Sequence, residues 1–192
     1  RHQFNIADSG FGLRGPRVLN DRAGEVGRTL NVKDFDLERI FSKEGVQIVH
    51  LSGLIAALSA ETSTFCLEIA RYAKKEGTLI SFDLNYRATF WKGREAELKT
   101  TFSEIASLSD ILIGNEEDFQ LSLGLKGPAE GGHGIENAIA SFKVVIRNAQ
   151  TTLPNVFVFV HILREVVSAI EHMWVAIVYN GEDGHAVPHT HL

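Results

Sequence analysis

Cysteine is nearly absent. Cys66 is the single thiol among 192 residues, which excludes an internal disulfide framework and any zinc site built from several cysteines. It stands in an apolar, helix-like stretch and reads as a buried thiol, not a nucleophile. Long hydrophobic runs are absent as well: Val156–Val160 and Val175–Tyr179 are the longest and are too short to span a bilayer. No stretch reads as a signal peptide. Positive charge is not in excess. Nineteen Lys and Arg against 24 Asp and Glu leave a net charge of −5, so nothing draws the chain as a whole to nucleic acid or an anionic membrane. Gly131-Gly132-His133-Gly134 lacks the Lys-Ser/Thr that completes a P-loop, and no His-Glu-x-x-His occurs. Direct metal binding is therefore not expected, although His133, His161, His172, His185, His189 and His191 crowd the second half. These absences point to a soluble, cytoplasmic protein with no nucleic-acid or membrane partner.

What is present is an ordinary globular composition, 44% apolar and 22% charged, enough for one domain with a sizeable core or a domain and a flap. Residues 1–30 are rich in Gly and Arg and read as an extended, partly exposed flap with a strand at Arg17–Leu19. From there helices and strands alternate. A helix over residues 34–44 has Asp36 as its N-cap candidate and apolar Leu37, Ile40 and Phe41 on one face. A buried strand follows at Val46–Leu51. Ser59 then opens a second helix that Lys74, Lys75 and Gly77 close, with Thr62 standing where a capping box has Glu. Thr78–Phe82 is a strand, residues 94–107 a helix, Asp110–Gly114 a strand, and residues 119–123 and 135–146 helices. Asn155–Val160 and Val175–Tyr179 are two more strands, joined by a short crossover helix or a hairpin. This order predicts an α/β fold with a parallel sheet and right-handed crossovers.

Two polar clusters fall at strand ends. Asp83, Asn85 and Arg87 follow the strand Thr78–Phe82, and Asn115-Glu116-Glu117-Asp118 follows Asp110–Gly114. In open α/β sheets ligands bind beyond the carboxyl ends of the strands, so an acid, an amide and a guanidinium spaced two apart could share one crevice. A solvated strand end with a local Asp–Arg pair explains the first cluster equally. Acidic residues complementing a helix dipole explain the second about as well.

The blocks Ser81-Phe82-Asp83-Leu84-Asn85-Tyr86-Arg87 with Trp91, and Asn115-Glu116-Glu117-Asp118-Phe119, taken together, resemble the ribokinase-like (PfkB-type) sugar kinases. Leu163-Arg164-Glu165 and Trp174-Val175-Ala176 look like that family's nucleotide-proximal strands, and residues 8–17 and 21–24 like its flap. The resemblance implies a Rossmann-like three-layer α/β/α core (31–192) with a small β flap or lid (1–30) that covers substrate and serves a homodimer contact. It implies transfer of the γ-phosphoryl of ATP, with Mg²⁺, to a hydroxyl of a sugar acid such as 2-keto-3-deoxygluconate, giving its 6-phosphate. Such chemistry depends on positioning and charge stabilisation.

By the same resemblance Asn20, Arg22, Asp83, Asn85 and Arg87 bind the sugar, with Arg87 and Arg22 as the anion binders and Asp83 and Asn85 holding Arg87. Asn115, Glu117 and Asp118 sit near Mg²⁺ and phosphates through water, with no direct metal ligand, and Arg164 meets the ATP phosphates. Several positions depart from the family pattern. Asp118 replaces a Glu, Asn20 replaces a Tyr, and His161-Ile162 stand where small hydroxyl residues are usual. The Gly-Ala-Gly-Asp block that carries the general base is expected after Leu192, and an amino-terminal Gly-Gly segment before Arg1. The chain is thus expected to be the middle of a longer kinase, incomplete at both ends and inactive alone. A non-catalytic Rossmann-like binding or regulatory domain, and a kinase for a neutral sugar such as fructose, remain alternatives.

Overall fold

A computed structural model describes residues 4–8, 17–21, 25–125, 135–166, 172–180 and 184–191, with backbone only at 17, 20–21, 135–138, 163–166, 172–174 and 184–191. Strands β1 (Phe4–Asp8) and β2 (Arg17–Asp21) pair antiparallel as a separate two-stranded ribbon, with Ile6 opposite Leu19. β2 contains the strand expected at Arg17–Leu19. Between flap and core, Glu38–Lys43 forms a π-helical segment. Asp36 does serve its start, its carboxylate accepting the Arg39 amide at 3.0 Å, but the turns behind it are wider than an α-helix.

The core alternates as its sequence predicts. It runs β3 (Ile48–Ser52), α1 (Gly53–Ala56), α2 (Ala60–Lys75), β4 (Leu79–Asp83), α3 (Ala88–Trp91), α4 (Glu95–Leu108), β5 (Ile111–Ile113), α5 (Glu116–Leu123) and α6 (Ile135–Thr152). Strands β6 (Val158–Val166), β7 (His172–Tyr179) and β8 (Gly184–His191) complete it. The six core strands lie side by side in chain order, β3 to β8. β3 to β6 are parallel, as expected. β7 and β8 are antiparallel additions, so the link after β6 is a hairpin and not a crossover. The short segment from Val166 to His172 is too small for a parallel return, which takes a dozen residues or more. β6 also corrects the sequence reading at its carboxyl end: His161 to Glu165 lie within the strand, each paired to β7, not beyond it.

The strands bury apolar residues on the helix-facing core. Leu51, Ile80, Phe82, Leu112, Phe159 and Ile177 are buried in one core with Cys66, Ala70 and Ala73 of α2, Leu98, Phe102 and Ile105 of α4, Phe119 of α5, and Phe142 and Ile146 of α6. On the same strands Ile48, Leu79, Ile162 and Val178 are exposed. The apolar stripes of α2, α4, α5 and α6 thus pack into one core with these strand residues. Alanines on α2 let it lie close, and Phe82 meets Phe102 edge-on at 5.4 Å. The start of α2 shows why Thr62 suffices for a cap. Its hydroxyl accepts the Ser59 amide at 2.9 Å, while Ser59 Oγ accepts the Thr62 amide at 3.2 Å, a reciprocal pair that needs no carboxylate.

Gly53 is the most closely packed of the described glycines. A Cβ there would lie 2.0 Å from the Leu84 carbonyl oxygen and 2.6 Å from the Phe102 ring. The backbone leaving β3 thus presses directly on the loop leaving β4, and fixes where that loop runs.

Candidate functional site

The loop after β4 and the turn after β5 are built against each other. Leu84 is fully buried and its amide donates to the Ile113 carbonyl at 2.8 Å, extending the ladder one step past Asp83. Asn85 then takes a positive φ of 37°, a conformation that Asn tolerates better than most side chains. Its Nδ2 reaches Ser52 Oγ at 3.4 Å. The turn delivers the Tyr86 amide to Asp118 Oδ1 at 2.9 Å. The other carboxylate oxygen of Asp118 accepts the Asn115 amide at 2.8 Å, and Asn115 Oδ1 accepts the Asp118 amide at 2.8 Å. This is a capping box with Asp in the third position, and the same carboxylate ties the two strand ends together.

Between these ends opens a crevice of about 820 Å³, lined by Asp83, Arg87, Asn115, Glu116, Glu117, Asp118 and His161, with Ile113, Gly114 and Ile162. Arg87 is exposed, and its Nη1 donates to its neighbour's carbonyl, Tyr86 O, at 2.7 Å. Asp83 is half-buried. Burial, then the nearby charge of Asp118, raises its pKa above the ordinary 3.8, against the opposing influence of His50 and Arg87. Four carboxylates face one arginine among the described lining residues. An anionic ligand fits such a surface when it brings its own cation.

His161 forms part of the wall. Its ring stacks on Phe142 with centroids 4.1 Å apart, and Nδ1 donates to the Gly114 carbonyl at 2.8 Å. Burial lowers its pKa from 6.5, so the ring is held neutral.

The structure thus brings together Asp83, Arg87, Asn115, Glu117 and Asp118 from the sequence-stated set. Asn85 stands apart from the crevice lining and contacts Ser52; the described side-chain hydrogen bond of Arg87 is donated to the Tyr86 carbonyl, not to Asp83 or Asn85. Asp118 is buried with both oxygens engaged by backbone amides, which makes it a brace. Arg22 and the side chains of Asn20 and Arg164 lie outside the described residues. His161 and Glu116 are additions. A lone polar residue inside the β-branched run of β6 is the signal that marks His161. Among the described residues no group of three His, Cys, Asp or Glu side chains converges as a metal site, and no helix is long and apolar enough to cross a membrane.

The profile described as pfkB family carbohydrate kinase matches residues 28–158, which includes both polar clusters. The 5-dehydro-2-deoxygluconokinase of Clostridium perfringens is 34% identical over 108 residues, 56% of this chain and 30% of that protein. The 2-dehydro-3-deoxygalactonokinase of Haloferax volcanii is 27% identical over 124 residues, 64% of this chain and 37% of that protein. The crystal structure of 2-dehydro-3-deoxygluconokinase from Thermotoga maritima superposes with a TM-score of 0.81 at 25% identity, covering 98% of this chain and 54% of that one. The chain spans about half the length of that solved structure, and its match covers about a third of each of those two relatives.

Proposed function

The chain belongs to the pfkB family of carbohydrate kinases, and on that footing we propose that it is part of an ATP-dependent kinase for a sugar acid of the ketodeoxygluconate type. The observation that carries this reading is the convergence of Arg87 with Asn115 and Glu117 on one crevice, from the carboxyl ends of adjacent parallel strands. Arg87 is the anion binder. Its planar fork matches a carboxylate, it keeps its charge at every working pH, and its exposure leaves it free to close on a ligand. Arg22, expected from the flap, and Asn20 complete the sugar contacts, and Arg164 serves the nucleotide.

The acidic lining is the test of fit for the nucleotide. Glu116, Glu117 and Asp83 would repel bare phosphates, and a Mg²⁺-bound triphosphate removes that repulsion while its metal keeps part of its water shell for these carboxylates. ATP supplies the phosphoryl group when bound. The chain's own residues bind, orient and balance charge. Asp118 holds the Tyr86–Arg87 loop at its distance from α5, and the cap keeps Asn115 at the crevice rim.

The flap supports a homodimer. An isolated two-stranded ribbon is marginal in water, and this one exposes Phe4, Ile6, Val18 and Leu19. A second copy is the partner proposed for it, and the cytoplasm the compartment.

The experiment is a phosphoryl-transfer assay on the complete protein with ATP and Mg²⁺, offering 2-keto-3-deoxygluconate, 5-dehydro-2-deoxygluconate and fructose. Turnover with the acids and little with fructose is expected. Preference for fructose overturns the acid assignment, and no transfer to any of the three overturns the reading.

A further inference from the structure

His161 has chemistry that the functions assigned above leave unused. A carbonyl oxygen only accepts, so the 2.8 Å contact to Gly114 O places the proton of the ring on Nδ1. In the neutral ring Nε2 is then a bare lone pair. Among the described residues Nε2 has no hydrogen-bond partner, yet it is not one of the sealed-off polar atoms, which are Glu25 Oε2 and Trp91 Nε1. The open space His161 borders is the crevice. Phe142 behind the ring and Gly114 beside it fix its plane and its tautomer before any ligand arrives.

An acceptor fixed in this way selects the chemistry opposite it. Phosphate and carboxylate oxygens are themselves acceptors and are repelled. Mg²⁺ takes oxygen ligands in preference to imidazole. A hydroxyl donates. We propose that Nε2 of His161 accepts a hydrogen bond from a hydroxyl of the ligand in the crevice, which makes His161 a specificity-determining residue. The proposal rests on the kinase reading. The hydroxyl belongs either to the sugar acid or to the nucleotide's ribose, and the two are separated by titrating each alone.

Two side chains divide the functions of the ring. His161→Asn keeps a short donor for the Gly114 carbonyl and lacks the distal acceptor. His161→Gln reaches the Nε2 position and gives up the Gly114 contact. In the complete protein, calorimetric titration with ATP and with 2-keto-3-deoxygluconate is expected to show H161N weakened about three- to tenfold for one of the two and unchanged for the other, with H161Q closer to wild type for the affected ligand, as fits one neutral hydrogen bond. Nitrogen NMR of the wild-type imidazole gives a second reading that does not depend on any variant folding: a protonated Nδ1, a bare Nε2, and an Nε2 shift on adding that same ligand. A protonated Nε2 in the free protein overturns the proposal. So does wild-type affinity of folded H161N for both ligands, or an Nε2 resonance that neither bound ligand moves. If wild-type protein binds neither ligand, the kinase reading itself falls and takes the hydroxyl acceptor with it.

Discussion

Asp118 accepts the backbone amide of Tyr86 at 2.9 Å across 32 positions of sequence, and with its second oxygen caps its own helix. One buried carboxylate thus determines both the start of α5 and the path of the loop that carries Arg87. Asp118→Ala removes both contacts and leaves two amides without acceptors. It is expected to destabilise the fold by about 1–3 kcal/mol and to raise KM for the sugar by displacing Arg87. Urea titration and steady-state kinetics check the two effects; an unchanged midpoint would refute the brace.

Arg87→Ala acts differently. The side chain is exposed and bonds only its neighbour's carbonyl among the described contacts, so stability stays close to wild type. Loss of a charge-assisted contact to a carboxylate is expected to raise KM about tenfold to a hundredfold. Equal effects on acidic and neutral substrates would show that Arg87 does not read the carboxylate.

Asp83 makes stability depend on pH in the direction opposite to the usual carboxylate. Its folded pKa is raised above the 3.8 of the exposed group, mainly by burial. In the window that begins near that value and extends up to the raised pKa, the folded state binds more protons than the unfolded state, so stability falls as pH rises and the penalty is complete above it. Asp83→Asn removes that penalty. The variant is expected to match or exceed wild-type stability at neutral pH, with a steeper acid limb in denaturation curves recorded across pH, because the carboxylates with lowered pKa then act unopposed. A neutral-pH stability well below wild type would contradict this.

Gly53→Ala places a methyl 2.0 Å from the Leu84 carbonyl oxygen. Either β3 or the β4 loop must move, at a cost of about 1–3 kcal/mol or more. Thermal denaturation reads the loss, and a melting point equal to wild type would mean that the loop yields freely.

Cys66 is buried, and burial pushes its thiol up to about 12. As the single cysteine it is a reporter of global opening. Its alkylation by iodoacetamide at pH 8 is expected to be slow in the native protein and to speed up in step with unfolding as urea is added. Rapid alkylation in the absence of urea would place it in an open region instead.

Much of this was legible in the sequence because local and global signals agreed. Val46–Leu51, Thr78–Phe82 and Asp110–Gly114 are apolar runs with turn residues on both sides, and each became a parallel strand within two residues of its expected bounds. The two polar blocks met in one crevice because both follow parallel neighbours. Three things were hidden. β6 runs on through His161 because antiparallel pairing with β7 satisfies its backbone, a long-range event with no local mark. Asn85 looked like a ligand-facing amide, but its positive φ turns it to Ser52. Asp118 read as a complement to a helix dipole or as a group near Mg²⁺, whereas it is buried and accepts the amide of a residue in another loop.

The order of the core strands in space is the order in which they are written in the chain. Among the described core strands, none is threaded between two that precede it. Each described core strand after β3 pairs with the one made just before it, and such sequence-local pairings close with little loop entropy. The crevice inherits the same timetable. Asp83 and Arg87 emerge first, and Asn115 to Asp118 close on them one strand later. The wall at His161 arrives only with the strand after that. The crevice lining is therefore complete only once β6 has been made, well after the first half of the described core.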